Sequence, residues 1–138
     1  MTPGDDDPGA VVRLGGDPPS PYEQAFSFSR IAQVGGFVIV GGTTSVDPCG
    51  FVLGETPYEQ TVEILRKLGH ELTRVDAEPR DVVQLRVYVT DISRAEEVGR
   101  AVGEAFAEIQ PLMTMVEVAG LIDPRMLVEI ELVAHRRG

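Results

Sequence analysis

The sequence holds one cysteine among 138 residues, so no internal disulfide is available to it. That is in keeping with a reducing, cytoplasmic setting. Two histidines, His70 and His135, with a single thiol are too few to build a zinc site within one chain, and no metal is expected. Cys49 sits in a turn with no histidine nearby in sequence and reads as an incidental thiol rather than a nucleophile. No apolar run approaches the roughly 20 residues that span a bilayer, so a membrane is not an expected partner. The first eight residues, Met1 to Pro8, have neither the basic nor the apolar region of a secretory signal. Positive charge is scarce: 12 Lys+Arg stand against 22 Asp+Glu, a net charge of -10. Such a surface repels nucleic acid, whose binding rests on clustered basic side chains. His135-Arg136-Arg137, the nearest thing to a cluster, reads as a solvated tail. Gly35-Gly36 and Gly41-Gly42 belong to strands and turns and match no phosphate-binding pattern. Internal repeats and linkers are also missing.

What is present describes one globular domain. Hydrophobic residues make up 43% of the chain, and a domain of this length buries roughly two thirds of its unfolded surface. Residues 1–20 form an acidic, Pro/Gly-rich segment expected to be partly disordered over 1–8, with an edge strand near 10–14; residues 21–138 form the domain proper. Thr56-Pro57-Tyr58-Glu59 carries an N-cap hydroxyl, a first-turn proline and a glutamate that can bond back to the cap. Val62, Leu65, Leu68, Leu72 and Val75 then recur at helical spacing. Ser93-Arg94-Ala95-Glu96 offers a second capping box ahead of Val98, Val102, Ala105, Phe106 and Ile109. Strands are predicted at Phe37 to Val40, Phe51 to Leu53, Val82 to Val89, Met113 to Val118 and Met126 to Ala134, with a turn at Asp47-Pro48-Cys49-Gly50. The order β-β-β-α-β-α-β-β describes an α/β (α+β) domain with a mixed sheet and two helices on one face.

Helices on one face leave the other to meet water or a partner. In the last strand Val128, Ile130, Leu132 and Ala134 share an apolar side that belongs under the helices. The opposite side, Leu127, Glu129, Glu131 and Val133, mixes apolar and acidic groups, as a face half buried against another subunit would. The same alternation sets Met113, Met115 and Glu117 on one side of their strand.

A series of landmarks in fixed order carries a resemblance. They are Ser20-Pro21-Tyr22-Glu23-Gln24-Ala25, Val40-Gly41-Gly42-Thr43, Glu59-Gln60-Thr61, Asp81-Val82-Val83, Val87-Tyr88-Val89-Thr90-Asp91, Val116-Glu117-Val118-Ala119 and Val128-Glu129-Ile130-Glu131. With these the chain resembles the Rid family, the YjgF-like enamine/imine deaminases, over nearly all of residues 20–136. The resemblance implies a chorismate-mutase-like fold, a homotrimer, and small-molecule clefts between subunits. It also implies hydrolysis of enamines and imines to 2-oxo acids and ammonia, with no cofactor. Carried over, Tyr22 lines the pocket, Gly42 and Thr43 form the glycine turn that supplies a backbone amide, and Glu129 positions or activates water. The arginine that pairs with the substrate carboxylate in deaminating members falls on Met113, within Pro111-Leu112-Met113-Thr114. An asparagine frequent on their second helix falls on Gly99, and one extra residue lies between Gly120 and Arg125.

Methionine cannot replace the forked, charged donor that arginine offers a carboxylate. Losing such a contact costs about 1.5–3 kcal/mol. With Met113 and Met115 near the ligand, the pocket is expected to be apolar and deformable and to handle small 2-imino acids poorly. The chemistry could persist on a larger, more apolar substrate, with Glu129 as the proton carrier. Two ordinary alternatives remain open: Glu129 as an interface hydrogen-bonding residue and Tyr22 as a packing residue. Arg86, on the central strand, and Arg125, in the lengthened loop, are the cations available to stand in for the missing arginine. The alternative function is a non-catalytic, small-molecule-binding or regulatory trimer. A ribonuclease role, also attached to the family, conflicts with the acidic charge.

Overall fold

The computed structural model describes residues 9–137; the segment expected to be disordered, residues 1–8, lies outside them. One mixed, six-stranded sheet runs β1 (Val12–Leu14), β2 (Ile31–Val34), β3 (Phe37–Thr43), β6 (Val128–His135), β4 (Val82–Val89), β5 (Leu112–Glu117) across its width. All neighbours are antiparallel except β4 and β5, which are parallel and joined through a helix. The helices are α1 (Pro21–Phe26), α2 (Pro57–Arg74) and α3 (Ala95–Phe106). Two of them, α2 and α3, pack on each other and cover one sheet face.

Register explains which face is buried. The partners Leu85↔Leu132, Val87↔Ile130 and Val89↔Val128 stack β4 on β6, and Val38↔Ala134 and Val40↔Leu132 continue the layer into β3. All nine side chains are essentially inaccessible and meet Ile64, Leu68 and Leu72 of α2 and Val98, Val102 and Phe106 of α3. The expected apolar side of the last strand is therefore the core. The other face carries Gln84, Arg86, Tyr88, Glu131 and Val133, with Ile39, Phe37, Leu112 and Val116 exposed around them.

Several local expectations change. The three strands ahead of α2 include Ile31–Val34, a segment whose Ala and Gln gave little strand signal. It pairs with β3 through the hairpin at Gly35, where φ is +57° and a side chain would be strained. Phe51 to Leu53 is not a strand: Val46↔Val52 is an isolated bridge, because Gly50 and Gly54 on either side take φ of +91° and +90° and turn the chain away. The turn at Asp47 forms, with its carboxylate accepting from the Cys49 and Phe51 N–H groups. On α2 the buried stripe runs through Gln60, Ile64, Leu68 and Leu72, while Val62 is 44% exposed. Ser93 does not cap α3. The Asp91 carboxylate accepts from both the Ser93 N–H and its hydroxyl, so a 3-10 turn, Ile92–Arg94, precedes the helix. An ionised acceptor outcompetes a hydroxyl at such a position.

Candidate functional site

At one end of the sheet β3 loses register with β6 between Val40 and Thr43. The bulge falls at Gly41-Gly42 and opens a cavity of about 180 Å³ beside β6. Tyr22 from α1, Gly42 from β3 and Glu129 from β6 all line it, so three of the residues carried by the resemblance come together. Phe28, Ile122 and Met126 add an apolar wall, and Arg30 and Lys67 add two cations.

Gly42 is required by space. A Cβ there would stand 2.6 Å from Glu129 Oε2 and 3.0 Å from Glu129 Cδ, nearer than nonbonded atoms approach. The glycine thus leaves the volume that the Glu129 carboxyl group occupies. Burial pushes the Glu129 carboxyl up from its usual range; Arg30 opposes this and Glu131 adds to it. A carboxyl group that titrates nearer neutrality, partly withdrawn from water, can both take up and return a proton.

Arg30 organises the wall. Its Nη1 donates to the Gly42 carbonyl and, at 3.2 Å, to Thr43 Oγ1, while Nη2 donates to Glu23 Oε2 at 3.2 Å. Glu23 in turn accepts 2.7 Å hydrogen bonds from the Gly16 and Ser20 N–H groups, which ties α1 and the preceding segment to the same cation. Burial raises the Glu23 carboxyl, but those two N–H groups and the Arg30 charge together hold it below the usual carboxylate range. Thr43 is buried, with its hydroxyl donating to the Gly41 carbonyl at 2.9 Å, and so braces the bulge from behind.

Lys67 reaches in from α2. Its Nζ donates to the Thr44 carbonyl at 2.6 Å and the Val46 carbonyl at 2.8 Å. Burial, with the Arg30 charge, brings its ammonium down to about 8. Gln60, two turns earlier on the same face, clamps the last loop: Nε2 donates to the Gly54 and Arg125 carbonyls and Oε1 accepts from Leu127 N–H. That clamp and the pair Tyr88↔Glu129 fix where the lengthened loop ends and Glu129 begins.

Four residues considered for the site lie elsewhere in the subunit. Met113 and Met115 pair with Leu85 and Val87, so they sit on the helix-covered side of the outermost strand, with β4 between them and β6. Met115 packs on the core and Met113 is 43% exposed at the sheet edge. Arg86 stands on the open face across from Glu131. Arg125 is held at the surface by a 2.7 Å ion pair with Asp123. Arg30 and Lys67 were not anticipated. Lys67 had a legible signal, since Gln60, Ile64, Lys67 and Glu71 fall on one helical face and polar groups on a buried stripe need a reason. Arg30, in the short run between α1 and β2, had none. Among the described residues no cluster of three His, Cys, Asp or Glu side chains is placed to hold a metal.

Comparisons with known proteins identify the family and agree with the fold. The family model described as endoribonuclease L-PSP matches residues 20–136. An uncharacterized protein of Streptomyces coelicolor is 35% identical over 118 residues, covering 85% of this chain and 87% of that protein. A RutC family protein of Aquifex aeolicus is 27% identical over 118 residues, covering 85% and 90%. The crystal structure of Rv2704 from Mycobacterium tuberculosis, a member of the YjgF/YER057c/UK114 family, superposes with a TM-score of 0.81 at 39% identity, covering 91% of this chain and 99% of that one. The chain therefore belongs to the endoribonuclease L-PSP family, the YjgF-like group that includes the Rid proteins.

Proposed function

We propose that the protein is a homotrimer that hydrolyses enamine- or imine-type small molecules, without a cofactor, in clefts of which this cavity is one wall. The observation that carries the reading is the Glu129 carboxyl group, raised by burial and set against the gap at Gly42 with Tyr22 alongside. Small-molecule sites usually enclose roughly 300–1,000 Å³; at about 180 Å³ the cavity is incomplete in one subunit. A second copy would complete it, and exposed Phe37, Ile39, Leu112 and Val116 on the open sheet face supply an apolar surface for such contact.

In this reading water adds to the electrophilic carbon of the imine while Glu129 takes its proton. The same carboxyl group returns that proton to the nitrogen, giving a neutral carbinolamine; it then takes the carbinolamine hydroxyl proton and delivers it to the nitrogen as the carbon–nitrogen bond breaks. The products are a carbonyl compound and an amine or ammonia. Met113 offers no charge to a carboxylate arriving at the position where deaminating members carry arginine, so small 2-imino acids are poor substrates. Phe28, Ile122 and Met126 favour a larger, relatively apolar body. The scarcity of cations disfavours RNA as substrate, whatever the family's description, and the lone exposed cysteine suits a cytoplasmic setting.

The test is amine release from a panel of freshly generated imines, spanning small acidic and large apolar types, by wild type and Met113→Arg. Wild-type turnover of the apolar members, with small acids hydrolysed only by the arginine variant, is the expected outcome. Efficient wild-type release of ammonia from small 2-imino acids would overturn the assignment. Saturable binding with no turnover by either protein would leave a non-catalytic binding trimer in its place.

A further inference from the structure

We infer that Lys67, flanked by Arg30, forms an anion subsite at the end of the cavity away from Glu129, so that the ligand is an apolar molecule carrying one carboxylate-type group remote from its reacting carbon. This rests on the cavity being the ligand site and adds the class of ligand it takes.

Four observations lead there. First, Lys67 is a half-buried ammonium hydrogen-bonded to two backbone carbonyls, with no carboxylate hydrogen-bonded to it among the described residues. Its two bonds leave the third N–H of the ammonium for a ligand. Buried cations are ordinarily paired, as Arg30 is with Glu23. Second, the two groups are held at different points of the strand that lines the cavity. The Glu129 carboxyl stands against Gly42, Arg30 is bonded to the Gly42 carbonyl and the Thr43 hydroxyl, and Lys67 is held further along, at the Thr44 and Val46 carbonyls. An anion held at Lys67 therefore need not sit on the Glu129 carboxyl. Third, Arg30 is itself pinned by Gly42, Thr43 and Glu23, which leaves Lys67 as the donor able to adapt to an incoming group.

Fourth, the sign of charge selects this cavity over its neighbour. A larger hollow of about 340 Å³ shares Arg30 and Lys67 as a common wall. Its lining sets five carboxylates, among them Glu23, Glu63 and Glu71, against the three cations Arg30, Arg66 and Lys67. The smaller cavity sets Arg30 and Lys67 against Glu129 alone, and that carboxyl is the one raised towards its neutral form. An anion is repelled from the first and drawn into the second. The arrangement also accounts for a pocket that dispenses with the arginine at position 113: the anion is met from α2 instead of from β5.

The test is equilibrium binding of matched probes, phenylacetate against phenylacetamide and hexanoate against hexanamide, to the full chain and to Lys67→Gln, followed by calorimetry or by protein resonances. At about pH 6.5 each carboxylate is expected to bind about tenfold or more tightly than its amide. That preference should disappear in Lys67→Gln and fade in the wild type as the pH rises through about 8, where the ammonium loses its proton. The wild-type pH series stands without any variant, so poor folding of Lys67→Gln does not spare the proposal. Equal affinity for acid and amide, a preference that survives Lys67→Gln or high pH, or no saturable binding of either probe would each overturn it. Turnover of the imine panel is read separately: a failed carboxylate preference with intact turnover removes the subsite and leaves the reading of Glu129 standing.

Discussion

Two side chains and one missing side chain define the site at the residue scale. Because Gly42 vacates the space that Glu129 fills, Gly42→Ala should displace the carboxyl group and lower turnover by about 10- to 100-fold, as misplacement of a reacting group does. The thermal unfolding midpoint, measured beside it, should move far less than for a core substitution, since the contact is with the far end of a side chain. Glu129→Gln has the opposite thermodynamic sign from most buried substitutions. With its pKa raised in the folded state, Glu129 contributes least to stability once both states have lost the proton, above its folded pKa. Denaturant unfolding at neutral pH should therefore find Glu129→Gln at least as stable as wild type, with the gap closing in acid below the ordinary glutamate range. A clear loss of stability at neutral pH would mean that the carboxylate is held by a partner instead of being kept free for chemistry. Tyr22, Gly42 and Glu129 were all legible before the fold was known, but only through the family resemblance. Arg30 was not, because its role comes from contacts with Ser20, Glu23, Gly42 and Thr43 that no local pattern announces.

At the scale of elements, α1 is the part that ties the site to the fold. It is six residues long, too short to persist alone, and is held by the Glu23 carboxylate. That one group gathers the Gly16 and Ser20 N–H groups and the Arg30 guanidinium. Glu23→Ala leaves Arg30 buried and unpaired, a defect that costs about 3–5 kcal/mol in comparable buried pairs. Amide hydrogen exchange should show α1 and β1 losing protection while the β4 and β6 core keeps it. Uniform protection across α1 in that variant would contradict the anchoring role. The Glu23 carboxyl lies below its usual range, so its contribution is present at neutral pH and is lost as the pH falls through that depressed value. The helices α2 and α3 were readable from periodicity and capping, as was the long β4. What escaped was of two kinds. β2 is held by its ladder to β3 more than by propensity, and Phe51 to Leu53 has strand composition but lies between two glycines that point the chain elsewhere. In both cases tertiary pairing overrides local preference.

The whole molecule is a sheet with one face finished and one face open. Apolar Phe37, Ile39, Leu112 and Val116 stand there beside Arg86, Tyr88 and Glu131, with the Tyr88 hydroxyl bonded to Glu131. A face of this kind is expected to meet other copies of the chain, and in the proposed trimer such contact is what would bring Met113, remote from Glu129 within one subunit, to a shared cleft. The expectation is direct. A charged group placed at the centre of the patch, Ile39→Asp, should convert a trimer to monomer in light scattering and abolish turnover, while far-ultraviolet circular dichroism stays unchanged. A wild-type monomer would remove the inter-subunit cleft from the account. Alternation in β6 was enough to identify the buried face. It could not tell that β5 turns Met113 and Met115 to the helix side, because that depends on the parallel register with β4.

The central claim is that Glu129 moves the proton in an imine-hydrolysing cleft. The measurement closest to it is amine release by wild type and Glu129→Gln on the best apolar imine of the panel, followed across pH. The expected result is a loss of about 100-fold or more in the variant, with a wild-type rate that climbs as Glu129 loses its proton, an inflection the variant does not show. Undiminished turnover in Glu129→Gln, or the same pH profile in both proteins, would contradict the account.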